Sequence, residues 1–409
     1  MLVVGVLVAS GCGGGSREVS EPVSTSLVKS AVRPTSTAAS ATTAGSATTA
    51  ASATTAALTT TTTAIPTTTA IPTTTAISTT TAISTTTAAP TTTAISTTTA
   101  APTTTVAPTT TVAPTALEQQ LSGTGISTTA FDVGGFRFDA LVAGPVDGRP
   151  VMLLHGFPSA GYQWRSQMVA LADAGYRVVA PDQRGYSPGA RPPDIADYSM
   201  DLLVEDVFGI ADAAGFEKFH LVGHDWGAAV AWAAAIADPD RLVTLIPVSV
   251  PHPAAFATAL ADPEDDQSEM SGYMASFVQP GFEDVMLAGD AGGLRSIYES
   301  AGLDEAEMAP YLEVLGTSEA LGAALNWYRA AAFAGGRDVP PVVVPTLFVW
   351  SDQDCCLGRT GAEQTVNFVD APYRFEILEG VDHWVPETAA DALNALLLDH
   401  LAAYPPEDG

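Results

Sequence analysis

One stretch concentrates residue types that could do chemistry: Phe219-His220-Leu221-Val222-Gly223-His224-Asp225-Trp226-Gly227-Ala228-Ala229-Val230. An apolar run that reads as a buried strand breaks at Gly223, and Ala228 to Ala237 reads as a helix. Between them stands a carboxylate, Asp225, with a glycine two residues to either side. Strand, sharp turn and helix in that order form a nucleophile elbow. Its glycines let the chain bend tightly and let strand and helix approach closely. The usual centre of such an elbow is serine. A carboxylate held there can attack carbon and form an ester. The plainer reading of Asp225 is a helix N-cap, so its partners must decide.

Three further signals supply those partners. Leu154-His155-Gly156-Phe157-Pro158 ends an early strand, Val349-Trp350-Ser351-Asp352-Gln353-Asp354 ends a late one, and Gly380-Val381-Asp382-His383-Trp384-Val385-Pro386-Glu387 follows the last. Nucleophile, then acid, then His is a hydrolase order. Hydrolysis of an ester needs a water deprotonated near neutral pH, which suits the imidazole of His383. A carboxylate must hold that imidazole in one tautomer, and both Asp354 and Asp352 are candidates.

The elements that must position these residues alternate. Phe136 to Val142, Val151 to His155, Arg177 to Asp182, the elbow strand and Leu242 to Val250 read as strands. Tyr162 to Ala174, Asp201 to Ala214 and the elbow helix read as helices between them. Such alternation implies an α/β fold with a mostly parallel sheet and helices on both faces. The rhythm breaks at Pro251-His252-Pro253. The following residues are helix-like, and strand signals return at Val342 to Trp350 and Tyr373 to Leu378 before a closing helix, Asp391 to Leu401. The expected organisation is a first core part over 116–250, a helical lid over 251–338 and a second core part over 339–409. A lid there covers the carboxyl ends of the strands, where α/β sheets bind ligands.

Taken together, HGFPSAGYQWR, APDQRGYSPGARP, LVGHDWGAAVAW, ALNWYRA and EGVDHWVPE resemble the epoxide hydrolases of the α/β-hydrolase superfamily, over about Phe131 to Ala403. The resemblance implies an α/β-hydrolase fold that opens epoxides to vicinal diols. Asp225 would be the nucleophile, His383 the base and Asp354 its orienting acid, by spacing from Trp350. The backbone N–H groups of Phe157 and Trp226 would form the oxyanion hole. Two lid tyrosines would hydrogen-bond the ring oxygen: Tyr328 matches within Asn326-Trp327-Tyr328-Arg329, and Tyr273 matches by its distance from Pro280-Gly281. Their plainer reading is packing against the core. Phe157, Trp226 and Trp384 would line a site for a small hydrophobic epoxide. Haloalkane dehalogenases share the fold, the aspartate and the GHDWG elbow, but they often carry asparagine where Phe157 stands and need no ring-opening tyrosines. A surface-tethered binding protein that has lost turnover is the reading from another class.

The remaining histidines get structural readings: His155 shapes the turn that presents Phe157, His224 packs or bonds locally, and His220, His252 and His400 belong to strand, loop and helix. No pair has zinc spacing, no helix carries H-E-x-x-H and no glycine-rich phosphate loop occurs. No metal and no cofactor are expected.

Composition divides the chain of 409 residues. Its 16 basic and 45 acidic residues are unevenly spread, with three bases and two acids in the first 115, which leaves 13 and 43 for the rest. A globular part that acidic repels nucleic acid and anionic membranes. Residues 1–12 form a short apolar segment ending in Ala9-Ser10-Gly11-Cys12, which resembles a bacterial lipoprotein signal with Cys12 as the lipidated residue. Residues 13–115 form a linker rich in Thr, Ala and Pro. From Thr61 it repeats every six residues as TTTAIP, TTTAIS, TTTAAP and TTTVAP. So little apolar surface cannot offset ordering entropy. A disordered N-terminal stalk is expected, holding an exported enzyme by a lipid anchor on the outer face of a bacterial cell membrane. Cys355 and Cys356, adjacent in an exported protein, are expected as thiols, with a strained vicinal disulfide as the alternative.

Overall fold

Runs such as Val151-Met152-Leu153-Leu154 and Leu347-Phe348-Val349 offer no polar face to solvent, so as strands they are stable only when covered on both sides. The computed structural model describes residues 113–331 and 339–405, with the backbone of a short strand at Thr25–Val28. Cys12 and the hexapeptide repeats lie outside the described residues. Nine strands form one sheet: β1 (Thr25–Val28), β2 (Ser127–Val133), β3 (Phe136–Ala143), β4 (Arg149–Leu154), β5 (Tyr176–Pro181), β6 (Phe219–His224), β7 (Leu242–Val248), β8 (Thr346–Ser351) and β9 (Tyr373–Leu378). Their order is β1-β9-β8-β7-β6-β4-β5-β3-β2. The pairs from β5 through β4, β6, β7 and β8 to β9 are parallel, while β1, β2 and β3 pair antiparallel.

Three strand expectations need correction. β2 was not expected, because its Thr-rich, largely exposed residues give no buried pattern. The run expected from Val342 yields a strand only from Thr346, since Pro345 interrupts it; Val342 makes an isolated bridge to Val369. β1 lies within the segment expected to be linker, where it adds to the free edge of β9 with Thr25 opposite Ile377.

The handedness of parallel connections fixes where the helices go. The chain moves one way across the sheet from β4 to β5 and the other way from β6 to β7. Helix Arg165–Asp173 and helix Trp226–Ala237 therefore cover opposite faces. The closing helix Ala390–Ala403 packs beside the first, and Met200–Ala213 beside the second. Val151 to Leu154, Leu221, Val222, Leu245, Ile246, Leu347, Phe348 and Val349 are fully buried between these layers. Each such side chain contributes roughly 1.5–3 kcal/mol.

Between β7 and β8 the described residues form six helical segments: Pro253–Ala261, Gln267–Met270, Met274–Phe277, Phe282–Ser300, which is broken by a kink from Ala288 to Ala291, Glu305–Leu315 and Ser318–Ala331. Two deep bonds seat this insertion on the sheet domain. Tyr298 Oη donates to Pro158 O at 2.6 Å, and Trp327 Nε1 donates to Arg184 O at 2.8 Å. Arg184 is itself locked by a buried two-pronged pair with Asp206, at 2.6 and 2.7 Å.

Candidate active site

The backbone at Asp225 is bent into φ 52°, ψ −123°. A non-glycine residue held in such a sparsely populated region typically costs about 1–3 kcal/mol, and only dense surroundings keep it there. Those surroundings are made by glycines. A Cβ on Gly223 would lie 2.2 Å from Gly227 O, one on Gly227 would lie 2.1 Å from Leu154 O, and one on Gly156 would lie 2.4 Å from Asp225 Cβ. The strand, the helix and the turn after β4 thus touch backbone to backbone. The result aims a nearly buried carboxylate across the carboxyl ends of the parallel strands.

Asp225 Oδ1 accepts the Phe157 N–H at 2.8 Å, and Oδ2 lies 3.6 Å from His383 Nε2. On its other side His383 donates from Nδ1 to Asp354 Oδ2 at 2.8 Å. Asp354 Oδ1 accepts two backbone donors, Cys356 N at 2.8 Å and Leu357 N at 3.0 Å. Of the two acids after β8, Asp354 is therefore the one on the imidazole. Asp352 instead accepts Gly380 N–H at 2.6 Å. Burial alone would raise the Asp225 carboxyl, but His383, His224 and the Phe157 N–H outweigh it and hold it below its ordinary value of 3.8. Burial alone would lower His383, yet Asp354 and Asp225 hold it well above 6.5. Both shifts favour a carboxylate facing an imidazolium.

Opposite stands an aromatic wall from the insertion. Tyr328 is buried, with its ring 5.0 Å from Trp226, 5.3 Å from Phe157 and 5.0 Å from Phe277. Tyr273 is half-buried at the start of Met274–Phe277, 6.5 Å from Tyr328 between ring centroids. Burial first, then the neighbouring phenol for Tyr273 and Asp225 for Tyr328, push both hydroxyls well above 10, so both remain donors. Trp226 opens the elbow helix, and the buried Trp384 ring meets His383 edge-on at 5.5 Å. Phe277 belongs to this wall too, 5.3 Å from Phe157. Sequence reasoning missed it, although it stands one helical turn after Tyr273.

The residue with no signal in the sequence is Gln163. Its fully buried amide joins three of the four segments that carry the site, all but the one holding Asp354. Oε1 accepts Gly156 N–H at 3.3 Å, and Nε2 donates to His224 Nδ1 at 3.1 Å and to Glu387 Oε2 at 3.5 Å. His224 in turn donates from Nε2 to His383 O at 2.8 Å, and burial lowers its ring to about 4. His155 is likewise neutral and structural, bonded to Gly156 O and to Gln183 N.

Cys355 and Cys356 are half-buried and unbridged, with sulfurs 3.2 Å apart. Among the described residues, donor atoms of Asp354, Cys356 and His383 lie within 4.8 Å of one another. Asp354 and His383 already bond each other.

A family model described as alpha/beta hydrolase fold matches residues 149–390. The AB hydrolase superfamily protein YfhM of Bacillus subtilis is 33% identical over 68% of this chain and 98% of its own length. Epoxide hydrolase A of Mycobacterium tuberculosis is 32% identical, over 66% of this chain and 95% of its own. Among solved structures, Epoxide Hydrolase A from Mycobacterium thermoresistibile is 29% identical with a TM-score of 0.59, covering 69% of this chain and all of that one.

Proposed function

This chain belongs to the alpha/beta hydrolase fold family, and on that premise we propose that it is an epoxide hydrolase working through an ester on Asp225. Asp225 Oδ2 attacks an epoxide carbon, and the ring C–O bond breaks. The departing oxygen takes a hydrogen bond, then a proton, from Tyr328 or Tyr273. A phenol is suited to this because it donates without carrying charge.

Ester formation removes the Asp225 charge that had helped keep His383 protonated. The imidazole's affinity for its proton drops, the proton is free to restore the phenol, and neutral His383 becomes a base. Water loses a proton to Nε2 and attacks the ester carbonyl. The oxyanion is held by the N–H groups of Phe157 and Trp226, and collapse releases the diol and the Asp225 carboxylate. Removing one such donor typically costs ~10²–10³ in rate.

The observation that carries this reading is the Asp225 carboxyl set between the Phe157 N–H and the His383–Asp354 pair, with the buried Tyr328 and the half-buried Tyr273 on the insertion side. The relatives named epoxide hydrolase support it. A single turnover of styrene oxide in ¹⁸O-water tests it: label is expected in the Asp225 peptide, with none in the first diol. Label in that first diol would mean direct attack by water and would remove Asp225 from its role. Halide release from a chloroalkane without diol from the epoxide would move the chain to the dehalogenases.

A further inference from the structure

We propose that Cys355 and Cys356 form an oxidisable dithiol that switches the site off by pulling on Asp354; this rests on the reading of Asp354 and His383 as the pair that activates water. The two sulfurs sit 3.2 Å apart on adjacent residues, and neither residue is fully buried. The peptide N–H of Cys356 is one of only two backbone donors on Asp354 Oδ1 among the described residues. The carbonyl of the same residue is pinned at 2.7 Å by Nε2 of the fully buried Gln267, whose Oε1 accepts Gly358 N–H at 2.8 Å. The loop that cradles the triad acid is thus the loop that carries the thiols.

Covalent geometry supplies the coupling. A relaxed disulfide spans Cα atoms about 4.4–6.8 Å apart, but neighbouring Cα atoms across a trans peptide are about 3.8 Å apart. Joining Cys355 to Cys356 therefore distorts the peptide between them, and the Cys356 N–H belongs to that peptide. The N–H leaves Asp354 Oδ1, the carboxylate turns, and His383 loses the partner that fixes its ring. A 1 Å misplacement in such a constellation can cost about 10²-fold in rate. Strained disulfides are also the easily reduced ones, so the change reverses.

The oxidant invoked is a small neutral two-electron one. An open cleft of about 280 Å³ beside this loop is lined by Asp354 and Leu357, with Glu264, Asp265, Asp266 and Arg359 around them, and neither cysteine lines it. With hydrogen peroxide, two S–H bonds break and one S–S bond forms, while the two hydrogens and two electrons reduce one peroxide to two waters.

The test uses the full chain treated with hydrogen peroxide and then with dithiothreitol. Mass spectrometry of the peptide holding both cysteines should show loss of two hydrogens, with kcat for diol formation down by about 100-fold and recovered on reduction. Cys355→Ser, which keeps the Cys356 N–H in place, should be active and insensitive. The downfield Nδ1–H resonance of His383 should move on oxidation of the wild type and stay fixed in Cys355→Ser. Absence of diol from the reduced enzyme would count against the epoxide reading alone, because the resonance still reports on the switch. The proposal is overturned if no disulfide forms, if it forms with kcat and the resonance unchanged, or if Cys355→Ser loses activity equally.

Discussion

Burial opposes the charged form of both Asp225 and His383; His383 pulls the carboxyl down against it, while Asp354 first and then Asp225 push the imidazole up. The two halves of the proposed reaction should therefore respond differently to pH. Ring opening needs the Asp225 carboxylate, whose pKa is held below 3.8, and phenols that remain protonated above pH 10. Its rate is expected to stay level on acidification to about pH 5, whereas ester hydrolysis should slow there because it needs neutral His383. Rapid-mixing measurement of tryptophan fluorescence would separate the phases; parallel pH profiles would contradict the assignment. Changing His383→Gln removes the base while leaving the nucleophile, so the enzyme should alkylate once and stop. Turnover is expected to fall by about 10²–10⁴-fold, the usual share of general base catalysis, with the ester visible by mass on the Asp225 peptide. A variant that turns over normally would end the role given to His383.

At the scale of elements, three of the four segments of the site meet on one side chain that does no chemistry, Gln163. Replacing Gln163→Leu leaves Gly156 N–H and His224 Nδ1 without their buried partner. Each unsatisfied group costs about 1–3 kcal/mol, so a fall in melting temperature is expected with a kcat loss greater than any change in KM. Unchanged melting and kcat would show that the loops are held by backbone alone. What could be read in advance follows the same division. The parallel strands were legible because their apolar runs have nowhere to go but a covered sheet, as β4, β6 and β8 show. Asp225, Asp354 and His383 were legible because each stands at a strand end beside a recognisable turn. β2 was not, because its exposed residues carry no burial pattern. Gln163 and Phe277 were not either, since their partners lie on other elements and no spacing along the chain encodes them. The choice of Asp354 over Asp352 came from spacing, and the hydrogen bond to His383 agrees with it.

On the scale of the whole molecule, the acidic catalytic part and the Thr, Ala and Pro repeats are separate in composition. We propose that the repeats tether the enzyme through Cys12. Expressed in a bacterium that processes lipoproteins, the full chain should partition with membranes, and Cys12→Ala should move it to the soluble fraction with catalytic constants unchanged. Soluble wild-type protein would sink the anchor without touching the chemistry.

Asp225, His383, Asp354 and Phe157 all hang from the ends of sheet strands, while Tyr273, Phe277 and Tyr328 ride on the insertion between β7 and β8. Exchanging the insertion would therefore alter the wall that faces a guest molecule and the supply of phenol hydroxyls in one stroke, while the carboxylate and the imidazole stayed where the strands set them.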